Sequence, residues 1–250
     1  MKIKYLIVLL CFSFLLLSLN SVSFLEQQKK NEKVKTAIAH KQTIMNQKLA
    51  EKGLKNSNFQ LMVVAYKAEK ELNIYVKKKE DKTYQLLETY SICRLSGVLG
   101  PKRKEGDLQV PEGFYHINMF NPNSNYLLSL GINYPNESDR IKSDKKNPGG
   151  SIFIHGSCVT IGCLPMTNDK IEEIYLYAVY AKNNGQNKIP VYIFPFKMED
   201  STFTNYKKTY SQDPKLITFW EQLKTGYALF QKDKKEISYK VDSKGDYLFE

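Results

Sequence analysis

Apolar and polar positions alternate with different periods along the chain. Residues 6–19 are almost wholly apolar, and residues 26–52 are charged with an apolar stripe at helical spacing. From residue 59 the pattern becomes that of strands, which we predict at residues 60–66, 71–76, 84–90 and 189–196. The short links between the first three favour antiparallel neighbours. The pattern therefore predicts a helix followed by a sheet.

Further helices and a hairpin are predicted towards the C-terminus. Thr167 is a candidate N-cap for a helix that ends near Asn184–Gly185. Asp213–Pro214 is typical of a helix start, and the helix that follows has one apolar, aromatic face, which we interpret as core. Two short strands flank residues 242–246 as a hairpin. Residues 118–150 contain one apolar island and are otherwise predicted to be an irregular functional loop or lid.

The first 23 residues have the layout of a secretory signal. Lys2 and Lys4 precede the apolar run, and small polar residues end at Ser23. The alternative is an uncleaved N-terminal anchor. We predict an exported protein of the bacterial periplasm or envelope. Its four parts are a signal or anchor (1–23), a charged helical spacer (24–57), a catalytic domain (58–197), and a helix-and-hairpin extension (198–250).

The net charge bears on possible partners. The formal charge is +11, but the lysines are scattered and arginines are few. No recognition helix or base-stacking module is present in the pattern, so we expect no nucleic-acid partner. An anionic envelope polymer or a lysine-rich solvated surface remain as interpretations. Membrane contact is expected only through the N-terminal segment.

Residues 152–168 contain the candidate chemistry. A short apolar run ends at His155–Gly156, and Gly162 directly precedes Cys163. A thiol is nucleophilic as its thiolate, and a nearby imidazole lowers its pKa or takes its proton. The order predicts Cys163 as a nucleophile and His155 as its base.

Three cysteines lie beyond the signal. Their odd number leaves at least one thiol unpaired or paired elsewhere, and a disulfide framework is unexpected in so long a chain. We interpret Cys93 as a small buried hydrophobe. Two alternatives remain for the others: a disulfide between Cys158 and Cys163, or a metal site that includes His155. The spacings match no standard zinc pattern, and we expect neither metal nor organic cofactor.

The same residues resemble a known family. His155–Gly156 and Thr160–Met166, with Asn168 after them, resemble the catalytic motif of the L,D-transpeptidase (YkuD) family, a His-Gly pair followed by Ser/Thr-x-Gly-Cys. The match is best with the YafK-like branch, because Ile161 and Pro165 replace the histidine and arginine usual in the family. The segments Pro111–Tyr115 and Phe219–Trp220 also resemble that branch.

The resemblance implies a mainly β (α+β) fold, sandwich-like or barrel-like, with the motif at one end of the sheet and a helix against it. It implies peptidoglycan stem peptides as substrate. Cys163 would attack the carbonyl of the third stem residue and expel the terminal D-alanine, with His155 as general base. Gly162, Gly156 and Thr160 would support the loop and the oxyanion.

The fate of the acyl group stays open. An amine acceptor gives a cross-link or attaches a protein to the wall. Water gives hydrolysis, which in YafK-like proteins would release a wall-linked lipoprotein or trim stems. A third alternative is a wall-binding module without activity. We expect residues 118–150 to decide the outcome by binding the acceptor and excluding water.

Overall fold

A computed structural model describes residues 22–250, so the predicted signal or anchor lies outside the described residues except for its last two positions. Helix α1 (Phe24–Gln28) begins after Ser23, whose side chain accepts a hydrogen bond from the Glu26 N–H. Helix α2 (Glu32–Glu51) follows. Between residues 22 and 250, no helix is long and apolar enough to cross a membrane.

An eight-stranded sheet forms the centre of the α+β fold. Its strands are β1 (Gln60–Tyr66), β2 (Glu71–Lys77), β3 (Gln85–Ser91), β4 (Gly113–Asn121), β5 (Ser129–Ile132), β6 (Phe153–His155), β7 (Leu164–Pro165) and β8 (Ile189–Phe194). Their spatial order is β3-β2-β1-β8-β4-β5-β6-β7. β1 pairs with β8 and β6 with β7 in parallel, and the other pairs are antiparallel. The four strands predicted from the sequence pattern are confirmed.

Helices cover both faces of this sheet. On β1, Leu61, Val63 and Ala65 belong to the core under α4 (Asn168–Asn183), which follows the site motif. Their neighbours Met62, Val64 and Tyr66 belong to the core on the opposite face. Because both faces are covered, β1 is a continuous apolar run rather than an alternating one.

The N-terminal helix packs on α4. The buried side chains of α2 are Val34, Ala37, Met45 and Leu49. Where α2 and α4 meet, Lys48 of α2 forms an ion pair with Glu173 of α4, with 2.8 Å between nitrogen and oxygen. The charged segment thus contributes an apolar face to the core of the sheet.

The C-terminal segment covers the second face. It consists of α5 (Asp200–Thr209), α6 (Pro214–Asp233) and a hairpin of β9 (Tyr239–Val241) and β10 (Tyr247–Phe249). Asp213 caps α6 through the Leu216 N–H, as predicted. Trp220 and Phe230 have no exposed surface. The interpretation of the aromatic stripe as core is confirmed.

Residues 118–150 are more regular than predicted. Strand β4 continues to Asn121, and the apolar island becomes β5, hydrogen-bonded between β4 and β6. A capping box at Asn136 then starts α3 (Glu137–Lys142). The prediction failed because the island is stabilised by strand partners on both sides, and one of them, β6, is distant in sequence.

The two edges of the curled sheet meet. Edge strand β3 is followed by Cys93, whose N–H donates to the Pro165 carbonyl of the other edge strand, β7 (2.9 Å). Cys93 also forms a disulfide with Cys158, with 5.5 Å between their Cα atoms. The interpretation of Cys93 as a buried hydrophobe is therefore wrong. Contact between the sheet edges brings together two cysteines that are 65 positions apart.

Candidate active site

The candidate residues lie at one edge of the sheet. β6 ends at His155, and β7 begins directly after Cys163. The parallel register aligns Ile154 with Leu164 and His155 with Pro165. Both candidate side chains face a cavity of about 180 Å³. Its lining residues are Asn121, Ser124, Asn125, Tyr126, Ser129, Phe153, His155 and Cys163. The thiol and the imidazole that the sequence predicted to be neighbours therefore share one cavity.

Cys163 is partly buried and is held by backbone groups. The Phe153 N–H donates to its Sγ (3.4 Å), and the thiol lies 3.7 Å from the Ser151 carbonyl oxygen. Burial raises the pKa of the thiol above its ordinary value, while the Phe153 N–H and the charge of Lys102 act in the opposite direction. At neutral pH the side chain is therefore mainly a thiol.

His155 is buried, and its tautomer follows from its hydrogen bond. Its Nδ1 lies 2.6 Å from the Gly156 carbonyl oxygen. Since a carbonyl can only accept, Nδ1 carries the proton and Nε2 is the basic nitrogen. Burial lowers the pKa of His155 below its ordinary value, so the ring is neutral at neutral pH. Tyr126 covers the ring with 4.6 Å between ring centroids.

Two glycines permit close backbone approach. A Cβ at Gly156 would lie 2.5 Å from the Tyr126 carbonyl oxygen. Gly162 has φ +133°, and a Cβ there would lie 3.0 Å from the Gln109 carbonyl oxygen. Side chains larger than hydrogen therefore do not fit at either position without movement of the backbone.

Thr160 organises the turn before Cys163. Its Oγ1 accepts hydrogen bonds from the N–H groups of Gly162 (3.2 Å) and Cys163 (2.8 Å). The hydroxyl donates to the Cys163 carbonyl oxygen (2.8 Å). The N–H groups of Gly162 and Cys163, which lie next to the thiol, are thus bonded to the threonine oxygen.

Cys158 lies in the same loop but is not a partner of Cys163. Its bond to Cys93 rules out the Cys158–Cys163 disulfide that loop length allowed. The same bond removes Cys158 as a thiolate ligand beside His155. Within residues 22–250, Cys163 is the cysteine with a free thiol.

Comparison with known proteins decides the family. The model of the L,D-transpeptidase (YkuD) catalytic domain matches residues 61–193. YafK of Escherichia coli strain K12 is 42% identical over 178 residues, which cover 70% of this chain and 68% of that protein.

The chain belongs to the L,D-transpeptidase (YkuD) family.

Two solved structures match most of the chain. The helical cell shape determining protein Pgp2 of Campylobacter jejuni matches with 21% identity and a TM-score of 0.44, covering 78% of this chain and 80% of that one. Bd1075 of Bdellovibrio bacteriovorus matches with 18% identity and a TM-score of 0.39, covering 74% and 76%.

The two departures from the usual YkuD motif have different surroundings. Ile161 is 79% exposed at the tip of the loop. Pro165 lies in the edge strand β7, where a missing N–H leaves no ladder partner unsatisfied. Its carbonyl accepts from Cys93 (2.9 Å), so this position takes part in joining the two sheet edges.

A buried ion pair between the residue after β1 and the residue before β4 was not predicted from the sequence. Lys67 Nζ donates to Glu112 Oε1 (2.8 Å), and Trp220 Nε1 donates to Glu112 Oε2 (2.9 Å). Glu112 and Trp220 belong to the two segments that resemble the YafK-like branch. Each was noticed separately, but nothing in the sequence indicated that they bond to each other.

The other two histidines lie outside this cavity. His116 lines a separate cavity of about 640 Å³ beside α1, not the cavity of Cys163. His40 is on the surface and contacts Glu172. Thr167 occupies the N-cap position of α4, but its side chain makes no capping bond. The side chain of Asn168 accepts instead from the Ser157 N–H (2.8 Å), which ties α4 to the loop.

Proposed function

We propose that this protein is an exported cysteine acyltransferase that acts on peptidoglycan stem peptides, with Cys163 as nucleophile and His155 as general base. One observation carries the proposal: a free thiol and a neutral imidazole line the same cavity of a YkuD-family domain. Peptidoglycan as substrate follows from the family, and no metal or cofactor is required by thiol–imidazole acyl transfer.

The first half-reaction forms a thioester. His155 Nε2 takes the proton of the Cys163 thiol as sulfur attacks the carbonyl carbon of the third stem residue. The C–N bond to the terminal D-alanine then breaks, and His155 returns the proton to the leaving amine. A neutral thiol and a neutral imidazole suit this sequence, because the proton moves when the bond forms rather than before.

Thr160 has a proposed part in stabilising the oxyanion. Its Oγ1 holds the N–H groups of Gly162 and Cys163 in one direction in the free protein. An oxyanion is a stronger acceptor than a hydroxyl and would compete for the same donors. In this proposal Thr160 keeps the two donors oriented until the substrate oxygen arrives, and Gly156 and Gly162 allow the close approach.

The second half-reaction resolves the thioester. An acceptor amine gives a new amide bond, as in a cross-link or an attached protein, and the thiol is restored. Water gives hydrolysis and would release a wall-linked lipoprotein or trim stems. Besides Tyr126, four of the eight cavity-lining residues carry neutral amide or hydroxyl groups, namely Asn121, Ser124, Asn125 and Ser129. Such a wall can bind a peptide acceptor or water, which supports keeping hydrolysis as the second candidate.

The test uses the purified full-length chain in detergent, with Cys163→Ala as control. Tetrapeptide-stem muropeptides, and sacculi that carry a bound lipoprotein, are incubated and analysed by mass spectrometry. Loss of D-alanine with dimer formation would establish transpeptidation. Release of monomers or lipoprotein without new bonds would establish hydrolysis. If neither substrate changes while the protein binds sacculi, the wall-binding alternative holds and the enzyme proposal fails.

A further inference from the structure

The N-terminal helical segment reaches the wall of the active-site cavity. That wall is the turn of residues 121–129, which supplies five of the eight lining residues. The side-chain amide of Asn31 donates to Asn123 Oδ1 (2.7 Å), and Lys33 Nζ donates to the Ser124 carbonyl (2.8 Å). These contacts join residues 92 and 91 positions apart. The start of α2 is therefore hydrogen-bonded to the 121–129 turn.

A chain of contacts continues from this turn to His155. Ser124 is buried, and its Oγ accepts from the Tyr126 N–H (3.1 Å). The Tyr126 ring lies on the imidazole at 4.6 Å, with 30° between the ring planes. The Tyr126 carbonyl accepts from the Gly156 N–H (3.0 Å), next to His155. Tyr126 is thus attached to the histidine through both its ring and its backbone.

We propose that Lys33 is a positioning residue for His155, acting through Ser124 and Tyr126. The inference rests on the proposed function for the role of His155. Lys33 is not among the residues that line the cavity; it holds the turn that does. Its ammonium makes a charge-assisted hydrogen bond, which is stronger than a neutral one. Without that bond the Ser124 carbonyl loses its charged partner, and the turn can move away from the imidazole.

Two consequences follow from such a movement. The first is geometric: a base displaced by about 1 Å can cost up to roughly 100-fold in rate. The second is electrostatic, because Tyr126 helps to bury His155 and burial lowers the pKa of the imidazole. A looser turn admits water and returns that pKa towards its ordinary value. Besides His155, the ionisable groups lining the cavity are Cys163 and Tyr126, and no carboxylate lines it in the described part of the chain.

The experiment is a ¹³C NMR titration of the histidine Cε1 resonances, which requires no substrate. The chain has only three histidines, so assignment by single substitution is practical. In Lys33→Met we expect the titration midpoint of His155 to rise by about half a unit, with His40 and His116 unchanged. With stem peptide as substrate, we expect kcat/KM to fall about tenfold.

Matched variants separate positioning from stability. Lys33→Arg keeps a charged donor and should restore both readouts. Lys35 lies on the same helix, is 54% exposed and pairs with Glu32, so Lys35→Met should resemble the wild type. Simple loss of folded protein would lower kcat without moving the His155 midpoint.

Two results would overturn the inference: a wild-type midpoint and rate in Lys33→Met, or an equal effect in Lys35→Met. Failure of the proposed function would be recognised by a different result. If Cys163→Ala processed stem peptides as fast as the wild type, the enzyme proposal would be lost. The histidine titration would still decide whether Lys33 positions His155.

Discussion

Replacement of Lys67 by methionine should be among the most damaging single changes outside the active site. The side chain of Lys67 is 2% exposed and that of Glu112 is fully buried. The ammonium donates to three oxygens, those of Gly100 (2.7 Å), Val110 (2.9 Å) and Glu112 (2.8 Å). All three of its N–H bonds are thus satisfied. The pair connects β1 to the segment before β4, and Trp220 connects it to α6.

The magnitude follows from charge and burial. At 2.8 Å the attraction between unit charges is about 6 kcal/mol for an effective dielectric constant near 20. Lys67→Met removes that attraction but leaves the Glu112 carboxylate buried, with the Gly100 N–H and the Trp220 indole as its donors. Removing one partner of a buried pair costs about 3–5 kcal/mol. This is a large share of the roughly 5–15 kcal/mol that stabilises a typical domain.

The assay is urea unfolding followed by fluorescence and by circular dichroism. Trp220 is the chain's single tryptophan and is bonded to Glu112, so its fluorescence reports on the network directly. The control is Lys207→Met, since Lys207 and Glu221 form an exposed pair of similar length (2.6 Å). Exposed pairs contribute about 0–1 kcal/mol. The uncompensated-charge explanation would be refuted if Lys67→Met lowered the free energy of unfolding by less than about 1 kcal/mol, or by no more than Lys207→Met does.

Three other predictions concern the loop around the thiol. Reduction of the Cys93–Cys158 disulfide with dithiothreitol, or replacement of both cysteines by serine, should lower the free energy of unfolding by about 4 kcal/mol. The reason is that this disulfide closes a loop spanning 65 positions. Equal urea midpoints for the oxidised and reduced protein would contradict this. Thr160→Val should lower kcat for D-alanine release by about 100-fold. Thr160→Ser keeps the accepting oxygen and should keep most of the activity. A fully active valine variant would show that the oxygen is not needed. Alkylation of Cys163 by iodoacetamide should keep accelerating as the pH rises through the alkaline range, because burial raises the pKa of the thiol and lowers that of His155. A plateau at mildly acidic pH would instead indicate a preformed thiolate–imidazolium pair.

Much of the fold could be predicted because its signals are local. Residues 60–66 were predicted as a strand with the bounds of β1, and the start of α6 was predicted from Asp213–Pro214. Both depend on neighbours within a few positions, namely a short apolar run and a helix cap. The failures lie where local signals are weak. β5 has only four residues and depends on strands at both sides, so residues 118–150 were predicted to be an irregular loop.

The candidate site shows the same division. His155 and Cys163 are eight positions apart, and the motif alone predicted that they would meet. The wall opposite them was expected in residues 118–150, but its members and their attachment to Lys33 were not. The hydrogen bonds of the Gly162 and Cys163 N–H groups were also not predicted. In the free protein both groups donate to the Thr160 hydroxyl of the same loop.

The sequence by itself determined the family, the positions of the inner strands and the pair of residues proposed for the chemistry. Each of these is encoded within a short stretch by side-chain period, turn residues and spacing. Tertiary structure alone decided which cysteine pairs with Cys158, what neutralises Lys67 and what covers His155. The residues of these three pairs lie 65, 45 and 29 positions apart in the chain: Cys93 and Cys158, Lys67 and Glu112, and Tyr126 and His155. Curling of the sheet and burial of its two faces bring them together, and no local pattern records which residues will then be in contact.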